Sequence, residues 1–152
     1  MEIGKCAINA DEVIASLEKE KTLILATCAG NRVTIRPMSH INDGLLVYFQ
    51  TGKDYLKIQQ IKANPYVAFC VGTYEIEGKA AILGHPLDEA NGFFAEKFKA
   101  KHPGSFERWS SLADEVVVRI DIGLVRQWRY IDDKPYEAVG RFNAEAYGGS
   151  EL

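Results

Sequence analysis

Arg36, Thr51, Lys53 and Lys57 bring three cations and a hydroxyl into one stretch, RVTIRPMSHINDGLLVYFQTGKDYLKIQQIKANP, at residues 32–65. These are phosphate-binding groups: arginine offers a planar fork that grips two oxygens at once, lysine a point charge. Arg36 falls near the end of a strand, one residue before Pro37. Pro37 has no backbone donor, which places it at a sheet edge or a bulge. The backbone of Met38 and Ser39 is then only partly committed to pairing and can bond the heteroatoms of a ligand. A phosphate site beside such a backbone suits a phosphorylated, planar cofactor. Lys57 falls in the first turn of a helix, where the macrodipole disfavours a cation by about 0.3–1 kcal/mol. An anion bound there reverses the sign, because the N–H groups of the helix start point at it. Lys53 lies four residues earlier, so both ammonium groups can converge on one phosphate. A second reading fits the same residues: Asp54 neutralises both lysines on a solvated helix, and Arg36 is an exposed strand-end arginine. The residues alone leave both open.

Positioning these groups takes short strands interleaved with helices. Asn9 with Glu12 three residues on is a capping-box pattern, and Val13, Ile14 and Leu17 follow at helical spacing. Residues 22–27, TLILAT, read as a strand that turns at Ala29-Gly30-Asn31 into a return strand over 33–41. Asn42-Asp43-Gly44 is a hairpin signal leading into a strand over 45–49. Asp54 caps a helix over residues 55–63, and Asn64-Pro65 ends it, since the residue before proline is pushed out of the helical region. Residues 66–73 and 76–83 read as two further strands. Pro86 then opens a helix running to residue 101, with Phe93, Phe94 and Phe98 as its buried face. Ser105 caps a short helix carrying Phe106, Trp109 and Leu112. Residues 115–122 and 124–131 read as strands hinged at Gly123, followed by a turn at 132–135 and room for one more strand after Tyr136. Residues 144–152 read as a frayed tail. Six to eight strands in hairpin order imply antiparallel pairing, and the short gaps between most of them favour a closed or split barrel. The expected fold is therefore mainly β within the α+β class: an antiparallel split β-barrel with peripheral helices, one domain over residues 1–152.

Bulk properties narrow the function. A net charge of −3 argues against a dedicated nucleic-acid binder, while leaving room for a local anion site. No apolar run reaches the roughly 18 residues a membrane span needs, and the N-terminus lacks the apolar core of a signal peptide. Cys6, Cys28 and Cys70 form no CxxC pair, which fits free thiols in the cytoplasm, with Cys28 and Cys70 in the core. His40, His85 and His102 show no metal-ligand spacing, so no metal is expected. No catalytic motif of the GxSxG, Walker, HExxH or GxGxxG type is present, and the catalytic residues are left unassigned. Trp128, flanked by Arg126 and Arg129, is read first as a core aromatic and second as the border of a flat ring.

Residues 23–65 resemble the pyridoxamine 5′-phosphate oxidase-like FMN-binding split-barrel family. The likeness rests on LATCAG-N-RVTIRPMS, the strand LLVYFQT, and a lysine followed by KIQQIKANP; the later IEGKAAILG is similar to the family's central strand. The resemblance implies a homodimer with FMN at the subunit interface. By position, Arg36 and Lys57 hold the phosphate, Thr51 and Lys53 assist, and Pro37, Met38 and Ser39 line the isoalloxazine ring. Glu77 or its neighbours reach the ring from the central strand, and Trp128 of the partner subunit packs near it. The chain lacks the C-terminal Arg/His set with which true pyridoxamine phosphate oxidases take substrate. Its expected kin are therefore the short, nitroimidazole-reductase-like members, and its expected role an FMN-dependent oxidoreductase on a small molecule. A flavin-binding or redox-sensing module without turnover is the alternative, as is a haem- or deazaflavin-binding relative, with His40 or His85 as haem ligand.

Overall fold

Tight turns set the register of most of the sheet. In the computed structural model, which describes residues 1–142, Gly30 and Asn31 adopt φ of 55° and 64° and link β2 (Thr22–Ala29) to β3 (Arg32–Ser39). Asp132 and Asp133, at 50° and 62°, likewise link β8 (Glu115–Ile131) to β9 (Lys134–Arg141). Paired positive φ values match the right-handed twist of the strands they join. The remaining strands are β1 (Gly4–Ala7), β4 (Ile41–Asp43), β5 (Leu46–Gly52), β6 (Tyr66–Val71) and β7 (Tyr74–Ile82). The nine-stranded sheet runs β1-β9-β8-β7-β6-β2-β3, with β5 joined to β8 and β4 to β5. Every pairing is antiparallel except β1 with β9. The architecture is a split β-barrel of the α+β class, with β3 as an edge strand, as Pro37 requires.

The barrel interior holds Leu23, Leu25, Val47, Phe49, Phe69, Ile76, Val118 and Ile120. Helix α1 (Ala10–Lys19) adds Val13 and Leu17, and α2 (Leu56–Ala63) adds Ile58 and Ile61. Asn9 caps α1 as its spacing predicts, its Oδ1 accepting the Glu12 N–H at 2.9 Å. A smaller cluster joins Phe94 and Phe98 of α3 (Gly92–Lys101) to Ile41 and Val117; α4 (Pro103–Trp109) follows directly. Among the described residues, no helix is long and apolar enough to cross a membrane.

Several local expectations shift. Register pairs Asp43 with Leu46, so the hairpin turn is Gly44-Leu45, and only Gly44 needs a positive φ, 57°. Tyr55 rather than Asp54 is the N-cap of α2, and no side chain caps it. Helix α3 begins at Gly92 instead of Pro86, after a 3₁₀ turn at Glu89–Asn91. The Asn91 amide is drawn instead to the carbonyls of Leu83 and His85, 3.0 and 2.8 Å away. Pro103, not Ser105, opens α4. Residues 115–131 form a single bent strand. Glu77 pairs with Leu124 and Gly78 with Ile122, which leaves Gly123 as the extra residue of a bulge. Phe93 and Trp128 stand out from the core at 45% and 47% exposure, and Cys70 is exposed. Their strand or helix positions alternate onto the outer face.

Gly78 permits the close approach at the bulge. A Cβ there would lie 2.5 Å from Ile120 Cγ2 and 2.8 Å from the Asp121 carbonyl oxygen. Gly78→Ala is accordingly expected to lower stability by about 2–3 kcal/mol, the upper part of the roughly 1–3 kcal/mol typical of overpacking, measurable as a lower urea midpoint.

Candidate functional site

The site is a hairpin that comes apart. Strands β4 and β5 pair Asp43 with Leu46, Asn42 with Val47 and Ile41 with Tyr48. The same register continued would set Ser39 opposite Gln50 and Pro37 opposite Gly52. Beyond Ile41 the pairing stops: β3 lies along β2, while β5 keeps β8 on its other edge throughout, Gln50 opposite Val117 and Gly52 opposite Glu115. The strands part at His40. Its side chain is fully buried, with Nε2 2.9 Å from the Leu17 carbonyl in the last turn of α1. Its own carbonyl accepts from His102 Nε2 at 2.8 Å, which pins the fork to the α3–α4 corner. Burial lowers the pKa of His40 to about 4, so the pivot is neutral at physiological pH. The opened strands leave a cavity of about 270 Å³, lined by Pro37, Met38 and Ser39 on one side and by Gln50, Thr51 and Gly52 on the other. Tyr55, Lys57, Phe98, Ser105, Trp109 and Glu115 complete its wall.

Lys57 enters this cavity from the uncapped start of α2. Its Nζ donates to Thr51 Oγ1 at 2.9 Å and lies 4.7 Å from the centre of the Tyr55 ring. Among the described residues it forms no ion pair. Burial, then the nearby Arg36 charge, holds its pKa below the ordinary lysine value, against a smaller pull from Glu115. Asp54 pairs with neither lysine: Lys53 is exposed and meets Asp114 instead, at 3.5 Å. Lys53 therefore stands outside the cavity, at its rim in sequence only.

Arg36 lies behind the cavity wall rather than on it. Its guanidinium donates to the Leu25 carbonyl at 3.3 Å, to Thr27 Oγ1 at 2.8 Å and to Thr34 Oγ1. Both threonines donate in turn to Gln60 Oε1, at 2.5 and 2.7 Å, and Gln60 Nε2 closes onto the Arg32 carbonyl at 3.1 Å. This network ties α2 to β2 and β3 through neutral acceptors, and among the described residues the guanidinium, like the Lys57 ammonium, has no carboxylate partner. Burial lowers the Arg36 pKa from its usual value. Thr27, Thr34 and Gln60 were not singled out by sequence. The available signal was Gln60 itself, a polar residue between the inward-facing Ile58 and Ile61.

Glu77 and Trp128 lie elsewhere in the chain. Glu77 pairs with Arg126 at 3.2 Å in a second hollow, of about 570 Å³, on the outer face of β2, β3, β6 and β7. Trp128 stands near the far end of β8 from Glu115, its ring edge-on to Tyr130 at 6.2 Å. Thirteen residues of strand separate Trp128 from Glu115, about 40 Å of contour. So Pro37, Met38, Ser39, Thr51 and Lys57 share one cavity, Arg36 backs it, and Lys53, Glu77 and Trp128 of the same chain do not reach it. Among the described residues no group of His, Cys, Asp or Glu is arranged to hold a metal ion.

Similarity to known proteins agrees with this fold. A structure of a provisionally assigned pyridoxamine 5′-phosphate oxidase from Listeria innocua shares 25% identity and a TM-score of 0.63, over 78% of this chain and 96% of that one. An F420 reductase shares 24% identity and a TM-score of 0.58, over 73% and 93%. An FAD-binding protein from Mesorhizobium loti shares the fold at 18% identity and a TM-score of 0.60, over 78% and 92%. No curated protein matches the chain. The sequence profile described as pyridoxamine 5′-phosphate oxidase matches residues 10–129, which takes in the opened hairpin, both half-buried cations and the helix that carries Lys57. The chain therefore belongs to the pyridoxamine 5′-phosphate oxidase family.

Proposed function

We propose that the protein binds FMN and works as a homodimeric, FMN-dependent oxidoreductase on a small molecule. One observation carries the reading. Lys57 and Arg36 are partly buried, burial lowers the proton affinity of each, the Arg36 charge lowers that of Lys57 further, and neither has a carboxylate partner among the described residues. Taking cations out of water without a counter-charge is costly, and a bound phosphate would remove that penalty. Lys57, Thr51 and the uncapped start of α2 would hold the phosphate, with Arg36 behind them. The free edge of β3 at Pro37, Met38 and Ser39 would face the ring. The flavin would supply the electron chemistry. The chain's own part is to bind it, orient it and shield one side from water.

A cavity of about 270 Å³ is below the 300–1,000 Å³ usual for small-molecule sites, so a whole nucleotide needs a second wall. The outer face beside it is suited to a second copy. Val33 and Ile35 of β3 are 65% and 68% exposed there, with Ile24 at 43%, and β3 carries that face directly into the Pro37–Ser39 edge. In such a dimer, Glu77 and Trp128 of the partner subunit would be the residues able to approach the ring. Haem is the weaker candidate. His40 is sealed in the core, and His85 uses both ring nitrogens, Nε2 at 2.8 Å from the Leu112 carbonyl and Nδ1 accepting the Leu87 N–H at 3.1 Å.

The absorption spectrum of the purified protein, before and after adding FMN, tests the assignment. A flavin spectrum, with a solution mass twice that of the chain, is the expected result. A haem or deazaflavin spectrum, or failure to retain added FMN, overturns it. Reduction of the bound flavin by a nicotinamide donor then separates an enzyme from a flavin-binding module.

A further inference from the structure

Glu115 has no place in the phosphate reading, and its position conflicts with it. It opens β8 directly opposite Gly52, next to Thr51, and lines the same cavity as Lys57. The residue is only 8% exposed, and among the described residues its carboxyl has no hydrogen bond and no ion pair. Lys57, the natural partner, is committed to Thr51. A nearly buried carboxylate facing a site built for an anion must either repel that anion or carry a proton. With a second negative charge a few ångströms away in a low-dielectric cavity, the protonated form is favoured, and a carboxylic acid can then donate a hydrogen bond to a phosphate oxygen.

We propose that Glu115 takes up a proton as the phosphate binds, which makes retention of the phosphorylated cofactor depend on pH. This rests on the FMN reading above. The groups facing Glu115 set its starting point. Burial raises its pKa above the usual carboxylate value, while Lys57 and then His85 pull it down. Tyr55 borders the cavity from the α2 side, and Phe98, Ser105 and Trp109 of α3 and α4 are uncharged. The adjoining Asp114 is occupied by Lys53, and Arg36 acts from behind Lys57. A bound anion raises the Glu115 pKa further. Between its value in the free protein and its value in the complex, affinity then rises tenfold for each unit of falling pH, and it is flat on either side.

The experiment titrates the wild type and Glu115→Gln with FMN and with riboflavin between pH 5.5 and 8.5. FMN's own phosphate, with a second pKa of about 6, titrates in both experiments, so the comparison isolates Glu115. Glu115→Gln is expected to bind FMN about tenfold more tightly than wild type at pH 8, with the advantage shrinking as the pH falls. Riboflavin, which lacks the phosphate, should bind both proteins within twofold of each other at every pH. Glu115→Asp should keep the wild-type pH slope, and thermal melts establish that each variant is folded. Parallel FMN curves for wild type and Glu115→Gln overturn the inference while leaving FMN binding standing. An equal gain for riboflavin also overturns it, since the effect would not then involve the phosphate. Failure of the wild type to bind FMN at any pH instead sinks the cofactor assignment, and this inference with it.

Discussion

Lys57→Ala lowers FMN affinity by about 100-fold and leaves the protein folded. Hydrogen bonds to charged groups contribute about 1.5–3 kcal/mol, and a hundredfold change corresponds to about 2.7 kcal/mol. In the unliganded protein the same lysine is a liability. It sits in the first turn of α2, against the macrodipole, half-buried and held below its ordinary pKa by burial and by Arg36. Removing it relieves those terms and gives up one hydrogen bond to Thr51 and a contact with Tyr55. Unfolding stability without ligand should therefore stay within about 1 kcal/mol of wild type, since the opposing terms are each of that size. Fluorescence titration with FMN reads the affinity, and riboflavin serves as the control because it lacks the phosphate. An FMN affinity within threefold of wild type would remove Lys57 from the phosphate site. Arg36→Ala should differ in kind. It weakens FMN binding and also the fold, because it strips the donors from Thr27 and Thr34.

Gln60→Leu destabilises the protein by about 3–5 kcal/mol. Gln60 is 3% exposed and is the common acceptor for the Thr27 and Thr34 hydroxyls. Leucine has similar bulk but leaves the buried Thr27 hydroxyl, the half-buried Thr34 hydroxyl and the Arg32 carbonyl without this partner. A buried polar group orphaned in this way costs about 1–3 kcal/mol, and the two partly exposed ones add less. Gln59→Leu is the matched control. Gln59 is the exposed neighbour on the same helix, and the same chemical change there should alter stability by no more than about 0.5 kcal/mol. Urea unfolding of the two variants makes the comparison. Equal, small effects would mean that the network does not hold α2 to the sheet. Because α2 carries Lys57 one turn before Gln60, folded Gln60→Leu protein should also bind FMN less tightly.

The order and type of most elements could be read from local chemistry. Gly30-Asn31 tolerates the left-handed backbone a two-residue turn demands, Asn9 caps α1, and Pro37 marks an edge strand. Errors gathered where a side chain had a distant partner. Asn91 bonds two carbonyls of the preceding loop instead of serving a helix that starts at Pro86, so α3 begins late. Asp54 has the chemistry of a cap, yet Tyr55 takes that position in α2. Gly123 looks like a break between two strands, but pairing with β7 on one side and β9 on the other carries the strand through it as a bulge.

The candidate site divides in the same way. Residue types and local spacing were enough to identify the fold class and the group of cations around a helix start. Backbone chemistry decides these matters within a few residues, and it is written in the chain. Sequence alone could not show that Lys57 lacks an ion pair, that Arg36 rests on threonines, or that Glu115 shares their cavity. Glu115 is 58 residues from Lys57 in the chain, and Gln60 meets Thr27 across 33 residues. Only the sheet pairing brings such residues together. The opened hairpin is the clearest case. Residues 33–49 read locally as strand, turn and strand, and local rules would pair them to their ends. At His40 they separate, β3 lying along β2 and β5 along β8, and no local pattern expresses where those two partners lead.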